Sequence, residues 1–351
     1  MDDKKIRIKD IAKKAGVSTG TVDRVIHNRE SVKEETRTKI LNLLQEYDYQ
    51  PNLMARALIS KKEYTIAVLI PKGSQENSFW EKPLKGIVKA AMEIKAYNFR
   101  VELFLFDQHE EEDFTQQVQK IIAFNPQGAV IAPFFVDGTK HLANELNEAN
   151  IPYIFINFDM KSEKRLRFIG QDFYAGGYLV AKLLHYGLKK KGTILIINNT
   201  NKTENFNHFH ERNMGFLSYF EEHGMGQDYL LLNKNIFDDF ESAIGEIFLE
   251  HTDIVGIYFS GSRVYLTARY LEKINRKDIL LIGHDLIEEN AKYLESAYID
   301  FIISQRAVEQ GYLCVTELFN YIAKGEKKEE EVVMPIDILT KENLKYYSRK
   351  P

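Results

Sequence analysis

Five residues near the amino terminus have the types and spacing that could read the edges of DNA base pairs. They are Thr19, Gly20, Asp23, Arg24 and His27. At helical spacing they turn away from an apolar face that Val22, Val25 and Ile26 form. A helix that presents polar groups at its exposed amino-terminal end is how a helix-turn-helix contacts the major groove. The pattern therefore predicts a DNA-reading helix.

Two charged residues of this set have different expected contacts. Asp23 can accept a hydrogen bond from the amino group of cytosine, whereas its charge repels phosphate. Arg24 and the backbone N–H groups of Ser31 to Lys33 are better suited to phosphate, and such contacts position a protein on DNA without specifying sequence. We therefore expect Arg24 and Ser31 to anchor the phosphate backbone.

Two short helices and a tight turn would hold the DNA-reading residues. The first helix is predicted from four apolar residues on one face, Ile8, Ile11, Ala12 and Ala15. Gly16 can form the turn without the steric cost of a Cβ atom, Val17 can fill the gap between the helices, and Ser18 is a good N-cap for the second helix. This spacing predicts a helix-turn-helix.

A third helix is needed because two such helices bury too little apolar surface to be stable alone. Ser31 and Glu34 have the spacing of a capping box. An apolar stripe follows at Ile40, Leu43, Leu44 and Tyr47. The alternative interpretation is a three-helix bundle with no role in nucleic-acid binding.

The segment after the third helix could couple the head to the rest of the chain. Pro51 ends the preceding helix, and Asn52 can cap a short helix over Leu53–Leu58. So few residues cannot hold a helix in water, so we expect this segment to be helical only when it pairs with a second copy on DNA. Arg56 is suited to phosphate or groove contacts there, and Asn52 is also expected to contact DNA. The alternative is a plain linker in which Leu58 packs on the body.

Composition and charge are consistent with a small basic head on a larger acidic body. The first 62 of the 351 residues carry 14 Lys and Arg against 9 Asp and Glu, a net charge of +5, and the remainder carries 33 against 42, a net charge of −9. The basic charge coincides with the DNA-reading helix. Cys314 is the single cysteine and neither a leader nor a membrane-spanning stretch is apparent, so a cytoplasmic protein with no membrane partner is expected.

From residue 64 onward, short apolar runs alternate with amphipathic helical stretches. The predicted strands are Thr65–Pro71, Val101–Phe106, Gly128–Pro133, Pro152–Asn157, Thr193–Asn198, Gly256–Phe259, Leu280–Gly283, Phe301–Ser304 and Val332–Ile338. Continuous apolar strands that alternate with helices indicate parallel sheets covered on both faces. We expect a helix-turn-helix domain over 1–50, a hinge over 51–62, and two doubly wound α/β lobes over 63–351. Ligands bind where the strand ends of facing lobes meet.

The head and hinge resemble those of the lac repressor (LacI) family of bacterial transcription regulators. The stretches AKKAGVSTGTVDRVIHN and YQPNLMARALISKK carry the resemblance. It implies that Thr19, Gly20 and Asp23 contact bases of a near-palindromic operator that a homodimer binds. It also implies that Leu58 wedges between base pairs in the minor groove, where the unstacking cost is offset by contacts to bent DNA.

The body is similar to the branch of this family whose sensor is built like a type I periplasmic sugar-binding protein. That resemblance implies ligand contacts from Asn77, Phe79, Trp80, Arg212, Asp285 and Gln305, and we expect Asn157, Asp172 and Ser260 to contact the ligand as well. Carboxylate, amide and guanidinium groups pair with adjacent hydroxyls while aromatic faces pack on C–H surfaces, which suits a sugar or polyol. Two alternatives remain open: packing alone for Trp80, and an interlobe ion pair for Arg212 and Asp285.

Ser260 and Asn157 stand where relatives often carry acidic contacts, so the pocket is expected to be less charged and more aromatic than that of a simple pentose binder.

His208 and His210 alternate in an aromatic, polar stretch with no nearby cysteine, and this spacing does not predict a metal site. No cofactor and no catalytic residue is expected, because no phosphate-binding glycine pattern and no nucleophile elbow is found.

These features predict a ligand-responsive, DNA-binding transcriptional regulator, expected to act as a repressor, with a carbohydrate effector and no enzymatic activity. Two alternatives remain. One is a sugar kinase or dehydrogenase with a fused DNA-binding head, and the other is a repressor controlled by a partner protein, with a vestigial cleft.

Overall fold

The computed structural model describes residues 8–26, 32–47, 63–73, 78–160, 164–199, 207–325 and 331–347. Contacts divide the chain into two units. One comprises Met1–Lys62 together with Phe319–Lys327, and the other comprises Glu63–Leu318 together with Lys328–Pro351. The predicted bounds of the domains and hinge stay a prediction.

Three helices form the described part of the amino-terminal region: α1 (Ile8–Ala15), α2 (Thr19–Ile26) and α3 (Glu34–Glu46). Their buried core consists of Ile11, Ala12, Ala15, Val22, Val25 and Ile40. Val17, Leu43, Leu44 and Tyr47 pack against this core and are partly buried. The apolar periodicity that predicted these helices therefore corresponds to the face that each one buries.

The first lobe of the body is built on a six-stranded sheet. Its strands are β1 (Tyr64–Pro71), β2 (Phe99–Phe106), β3 (Gly128–Ile131), β4 (Tyr153–Asn157), β5 (Arg167–Gly170) and β11 (Glu331–Val333). They lie in the order β11-β5-β4-β3-β1-β2, and every neighbouring pair is parallel. Helices α4 (Glu81–Ile94), α5 (Glu111–Phe124) and α6 (Val136–Glu148) connect successive strands.

The second lobe repeats this arrangement. Its strands are β6 (Gly192–Asn198), β7 (Tyr229–Asn235), β8 (Ile254–Phe259), β9 (Leu280–His284), β10 (Phe301–Ser304) and β12 (Asp337–Leu339), in the order β12-β10-β9-β8-β6-β7. β12 is antiparallel to β10, and the other pairs are parallel. The later helices are α7 (Phe173–Gly187), α8 (Asn207–Glu222), α9 (Phe240–Glu250), α10 (Tyr265–Lys273), α11 (Glu288–Glu295), α12 (Ala307–Lys324) and α13 (Leu344–Tyr347).

Alternate side chains of the second sheet enter two separate apolar cores. Ile194 and Ile196 of β6 pack with Phe216 on one face, whereas Leu195 and Ile197 pack in the cluster on the other face. Both faces are therefore covered by helices, which explains why the strands are apolar without a break. The predicted pair of doubly wound parallel-sheet lobes is confirmed.

In the described part of the body, three chain segments cross between the lobes, and they are tied to one another. Gln171 donates through Nε2 to the carbonyl oxygens of Ser304 (3.2 Å) and Pro335 (3.3 Å). Arg306 forms a two-pronged ion pair with Asp337, at 2.7 Å from Nε and 3.1 Å from NH2. These bonds make the three crossings a single structural unit.

The prediction of one final strand over Val332–Ile338 is wrong. The segment forms β11 in the first sheet and β12 in the second, with Met334 to Ile336 as the crossing between them. Pro335 has no N–H to donate to a strand ladder, so the apolar run is interrupted where the chain changes lobe. The sequence pattern could not separate two short strands that belong to different sheets.

Two strands, β5 and β7, were not predicted. β7 lies at the edge of its sheet, and its seven residues are half-buried or exposed, with none fully buried. β5 has four residues, and its Arg167 is buried and donates to Glu317 at 3.1 Å. Charged and polar residues within or beside these runs masked their strand character.

Candidate functional site

The turn between α1 and α2 is fixed by local backbone chemistry. Gly16 has a φ of +73°, which favours glycine, and the Val17 N–H donates to the carbonyl of Ala12 at 3.0 Å. Ser18 accepts a hydrogen bond at its Oγ from the N–H of Thr21 at 3.1 Å, so it caps α2. The predicted turn and N-cap are confirmed.

The exposed end of α2 carries the residues expected to contact DNA. Thr19, Gly20 and Arg24 are exposed, and Asp23 is half-buried. These side chains lie opposite buried Val22, so they can meet a surface outside the bundle. Five other residues expected to contact DNA, His27, Ser31, Asn52, Arg56 and Leu58, lie outside the described residues.

A cleft lies between the two lobes of the body, where the carboxyl ends of their strands meet. The space between its walls is about 730 Å³ when the open solvent at its mouth is counted, and about 90 Å³ of it is accessible to the centre of a water-sized sphere. The first lobe lines it with Phe79, Trp80, Gln108, His109, Phe134, Asn157 and Phe158. The second lobe and the crossing after it add Asn199, His208, Phe209, Arg212, Phe237, Gly261, Ser262, Arg263, Asp285 and Gln305. This is the position at which open parallel sheets bind ligands.

A chain of buried amides and a carboxylate joins the lobes inside the cleft. Asn157 donates through Nδ2 to Oε1 of Gln305 at 2.9 Å, and Gln305 donates through Nε2 to Oδ1 of Asp285 at 2.7 Å. All three side chains are at most 7% exposed. Gln305 stands on the crossing between the lobes, so it contacts both.

Asn157 and Asp285 occupy corresponding positions in the two lobes. Each stands at or directly after the carboxyl end of the fourth strand of its sheet, β4 or β9. Both have left-handed backbones, with φ of +69° for Asn157 and +68° for Asp285. Asparagine and aspartate tolerate this conformation better than most residues. The left-handed turn ends each strand at the cleft.

Helix α8 brings Arg212 into the cleft by packing closely on α7. A Cβ atom on Gly177 would lie 1.9 Å from the carbonyl oxygen of Arg212, and one on Gly215 would lie 2.0 Å from that of Tyr174. Only glycine allows the two helices to approach this closely. The glycines therefore set the depth at which Arg212 enters the cleft.

The Arg212 guanidinium is almost fully buried, with 2% of the residue exposed. It donates from NH1 to the carbonyl oxygen of Ser260 at 2.6 Å and lies 4.9 Å from the centre of the Phe173 ring. Its Nε has no hydrogen-bond partner among the described residues. Burial lowers the pKa of Arg212, an effect that Tyr258 and Asp285 oppose. A buried cation with an unused donor is a candidate ligand contact.

Asp285 is the carboxylate of the cleft. Burial raises its pKa because the charged form loses hydration, while Arg212 and the Gln305 hydrogen bond act in the opposite direction. Asp285 and Arg212 both belong to the second lobe, and each bonds to another group. The alternative of an interlobe ion pair between them is therefore wrong.

Aromatic rings form the first-lobe wall of the cleft. Trp80 is 2% exposed and meets Phe79, Phe134 and Phe158 edge-on, with ring centres 5.3, 5.7 and 6.2 Å apart. Its burial supports the packing role that the sequence left open, although its edge lines the cleft. The sequence had indicated an aromatic pocket of this kind.

Ring contacts also bridge the two lobes. His208 stacks on Phe158 with ring centres 4.8 Å apart, and His109 meets Phe237 at 6.3 Å. Burial and the nearby Arg212 hold the pKa of His208 well below its usual value, so its ring is neutral at physiological pH. No group of three or more potential metal-binding side chains occurs within the described residues.

Six of the nine predicted ligand residues line the cleft: Phe79, Trp80, Asn157, Arg212, Asp285 and Gln305. Asp172 does not, because its carboxylate caps α7 by accepting from the Ala175 N–H at 2.8 Å. Ser260 is buried behind the wall, where its hydroxyl donates to Asn198 Oδ1 at 2.7 Å and its carbonyl holds Arg212. Asn77 lies outside the described residues.

Several lining residues were not anticipated from the sequence. Gln108 and His109 follow β2, Phe134 follows β3, Phe237 follows β7 and Arg263 follows β8. Their positions in the sequence could have indicated these residues, since residues just past the carboxyl ends of parallel strands meet at one edge of a sheet. For Phe237 it was hidden because β7 itself was not predicted.

Two family profiles match the chain. "Bacterial regulatory proteins, lacI family" matches residues 7–52, and "Periplasmic binding protein domain" matches residues 66–327. A crystal structure of a Bacteroides fragilis protein assigned to the LacI transcriptional regulators is 30% identical, with a TM-score of 0.75, and covers 82% of this chain and 100% of that one. The chain belongs to the lacI family. The expected family and fold are thus confirmed.

Two curated relatives in this family illustrate the extent of the likeness. Catabolite control protein A of Streptococcus mutans is 32% identical over 167 residues, which are 43% of this chain and 49% of that protein. That match spans about half the length of the relative. The transcriptional repressor PurR of Pasteurella multocida is 27% identical over 93% of this chain and 94% of its own. In the described residues, no helix has the length and apolar character needed to cross a membrane.

Proposed function

We propose that this protein is a homodimeric transcriptional repressor that binds a specific operator through its amino-terminal helices and senses a sugar or related polyol in the interlobe cleft. One observation carries the proposal. The buried chain Asn157, Gln305 and Asp285 links the two lobes at the interlobe cleft, in a polypeptide that also presents an exposed helix-turn-helix face.

The DNA-binding part of the proposal rests on α2. Its exposed Thr19 and Gly20 can approach base edges, and Arg24 can pair with a phosphate. The net charge of +5 over the first 62 residues, from 14 basic against 9 acidic residues, favours attraction to a polyanion. We propose a homodimer because helix-turn-helix proteins commonly bind the two half-sites of a near-palindromic operator with one subunit each.

The carbohydrate part of the proposal rests on the chemistry of the cleft. Asp285, Asn157 and Gln305 supply carboxylate and amide groups that can pair with hydroxyls, and the Nε of Arg212 has no partner among the described residues. The aromatic wall, which includes Phe79, Trp80 and Phe134, can pack against the C–H surface of a sugar ring. We propose that these groups bind the ligand without converting it.

Ligand and operator would be coupled through the relative position of the lobes. A ligand that pairs with Asn157 on one lobe and Asp285 on the other stabilises one lobe arrangement over others. The crossing segments would carry that change to the segment that joins the body to the DNA-binding helices. Coupling of this kind typically amounts to about 1 to 3 kcal/mol, or roughly 5-fold to 150-fold in affinity.

The experiment is a linkage measurement on the full-length protein. Operator DNA is first selected from a random pool, and an effector is found by a thermal-shift screen of sugars and polyols. A ligand at one hundred times its dissociation constant adds about 2.7 kcal/mol to stability, which such a screen detects. The affinity of DNA is then measured with and without effector, and that of effector with and without DNA.

The two measured factors must agree, because binding linkage is reciprocal. If saturating operator DNA leaves the affinity of the effector unchanged, the proposed regulation is wrong. Nuclear magnetic resonance of the mixture would reveal whether the protein converts the effector. If it does, the proposal that the cleft binds its ligand without converting it is wrong.

A further inference from the structure

The described residues that line the cleft carry an unbalanced positive charge. Two of them are guanidinium groups, Arg212 and Arg263, and one is a carboxylate, Asp285. His208 is neutral because burial lowers its pKa. A neutral sugar would leave one more positive than negative charge among the described lining residues.

Asp285 does not compensate Arg212 by a direct ion pair. Its Oδ1 accepts from Gln305 at 2.7 Å, and the NH1 group of Arg212 donates instead to the Ser260 carbonyl oxygen at 2.6 Å. The Nε of Arg212 is buried without a partner in the described part of the chain. The site therefore contains a buried cationic donor that a ligand could satisfy.

Arg263 lies on the same wall of the cleft. The loop after β8 begins at Ser260, whose carbonyl holds Arg212, and three residues later it carries Arg263. The Arg263 guanidinium lies 5.5 Å from the centre of the Phe237 ring, a contact that orients it without neutralising its charge. One loop thus associates both cations with one side of the cleft.

We propose that the effector is an acidic sugar derivative, whose anionic oxyacid group binds at Arg212 and Arg263 while its hydroxyls pair with Asn157, Gln305 and Asp285. This inference rests on the proposed function and narrows its ligand class. Guanidinium groups form paired hydrogen bonds with planar carboxylates and with phosphate monoesters. The anionic group of the effector can therefore be a carboxylate or a phosphate. Arg263 is the residue that sets the preference for acid over neutral sugar.

The test compares matched ligands on the full-length protein by isothermal titration calorimetry at neutral pH. The probes are glucose, glucuronate and glucose 6-phosphate, then galactose with galacturonate, and ribose with ribose 5-phosphate. In at least one series the acidic member should bind about 10-fold to 100-fold tighter than its neutral parent, as expected for one added charge-assisted hydrogen-bonded pair. The carboxylate and phosphate arms distinguish the two sources of charge.

Two variants locate the effect. Arg263→Gln should abolish the preference for the acidic member over its neutral parent, measured as the ratio of the two affinities. Arg269→Gln is the matched control, since Arg269 is an exposed arginine that lies 5.5 Å from the Tyr265 ring on α10 and does not line the cleft. It should retain the full preference.

The possible failures are distinguishable. If neutral parents bind as tightly as their acids, or if Arg263→Gln retains the preference, the acidic-ligand inference is wrong and the sugar-sensing proposal stands. If no member of any series binds, both the inference and the carbohydrate part of the proposed function are overturned.

Discussion

The side chain of Gln305 bonds to a residue of each lobe in the cleft. It accepts from Asn157 and donates to Asp285, two side chains that are buried and stand at corresponding ends of β4 and β9. Buried polar groups contribute little when paired but are costly when a partner is removed. The integrity of the ligand-free cleft therefore depends on this amide.

We predict that Gln305→Ala lowers the free energy of unfolding by about 1 to 3 kcal/mol, because it removes the amide donor to Asp285 and leaves Asn157 with only its longer bond to Gln310, at 3.4 Å. Urea denaturation of the ligand-free protein measures the change. Glu309→Ala, an exposed position one turn along the same segment, is the control and should change stability by no more than about 0.5 kcal/mol. Equal effects of the two substitutions would contradict the bridging role.

At the scale of elements, the crossing of α7 and α8 decides where Arg212 lies. The helices touch through Gly177 and Gly215, with no space for a Cβ atom at either. A larger side chain at either glycine would push the helices apart and move the backbone that carries Arg212. The α7–α8 contact, which does not itself line the cleft, therefore sets the position of a side chain that does.

Gly177→Ala should destabilise the protein by about 1 to 3 kcal/mol through overpacking and should weaken effector binding as well. Denaturation and calorimetry measure the two effects. Gly245→Ala in α9 is the matched mid-helix control, because the nearest atom to its Cβ would be the Tyr270 hydroxyl at 3.6 Å. That control is expected to be neutral or slightly stabilising, since alanine favours helix over glycine. A neutral Gly177→Ala would refute the close-approach argument.

The first turn of α5 organises two loops of the first lobe. The Asp113 carboxylate accepts from Lys72 Nζ, from the Asp107 N–H and from Gln117 Nε2, each at 2.9 Å. These bonds, that of Lys72 foremost, lower the pKa of Asp113 from 3.8 to about 2. Gln108 and His109, which line the cleft, follow directly after Asp107.

Asp113 should therefore contribute stability that is present above pH 3.8 and lost as the pH falls toward about 2. Asp113→Asn should flatten the acid limb of the stability curve in that interval, as measured by urea denaturation at a series of pH values. Lys72→Gln should reproduce most of this flattening, because Lys72 is the main cause of the lowered pKa. An unchanged acid limb in both variants would exclude this contribution.

At the scale of the whole molecule, the proposed regulator needs general affinity for DNA and discrimination between sequences, and different residues should supply them. Arg24→Ala should weaken binding to operator and random DNA alike and reduce the slope of log affinity against log salt by about 1. Leu58→Ala should reduce operator binding more than binding to random DNA. Fluorescence anisotropy over a salt series measures both.

Arg24→Lys is the control for charge and should retain most of the salt slope, because a lysine also pairs with phosphate. Selective loss of operator binding in Arg24→Ala would assign that residue to base recognition instead. Equal losses on both DNAs in Leu58→Ala would argue against the minor-groove wedge.

Local sequence patterns determined much of this protein. Helical periodicity with Gly16 and Ser18 defined the helix-turn-helix, and unbroken apolar strands between helices defined two doubly wound lobes, because both signals arise from neighbouring residues along one element. Short or edge strands such as β5 and β7 escaped because they carry polar residues beside few apolar ones. The apolar run Val332–Ile338 was predicted as one strand but forms two, because the chain changes lobe at Pro335. Sequence spacing contains no signal of that change.

The tertiary structure alone decided which polar side chains act together. Asn157 and Gln305 are 148 positions apart and meet at 2.9 Å, and no periodicity specifies such a pairing. Asp172 caps a helix instead of entering the cleft, and Arg263 enters it, because backbone geometry at strand and helix ends sets side-chain direction. Sequence identified the chemistry available, and the packing of distant elements selected the groups that form the site.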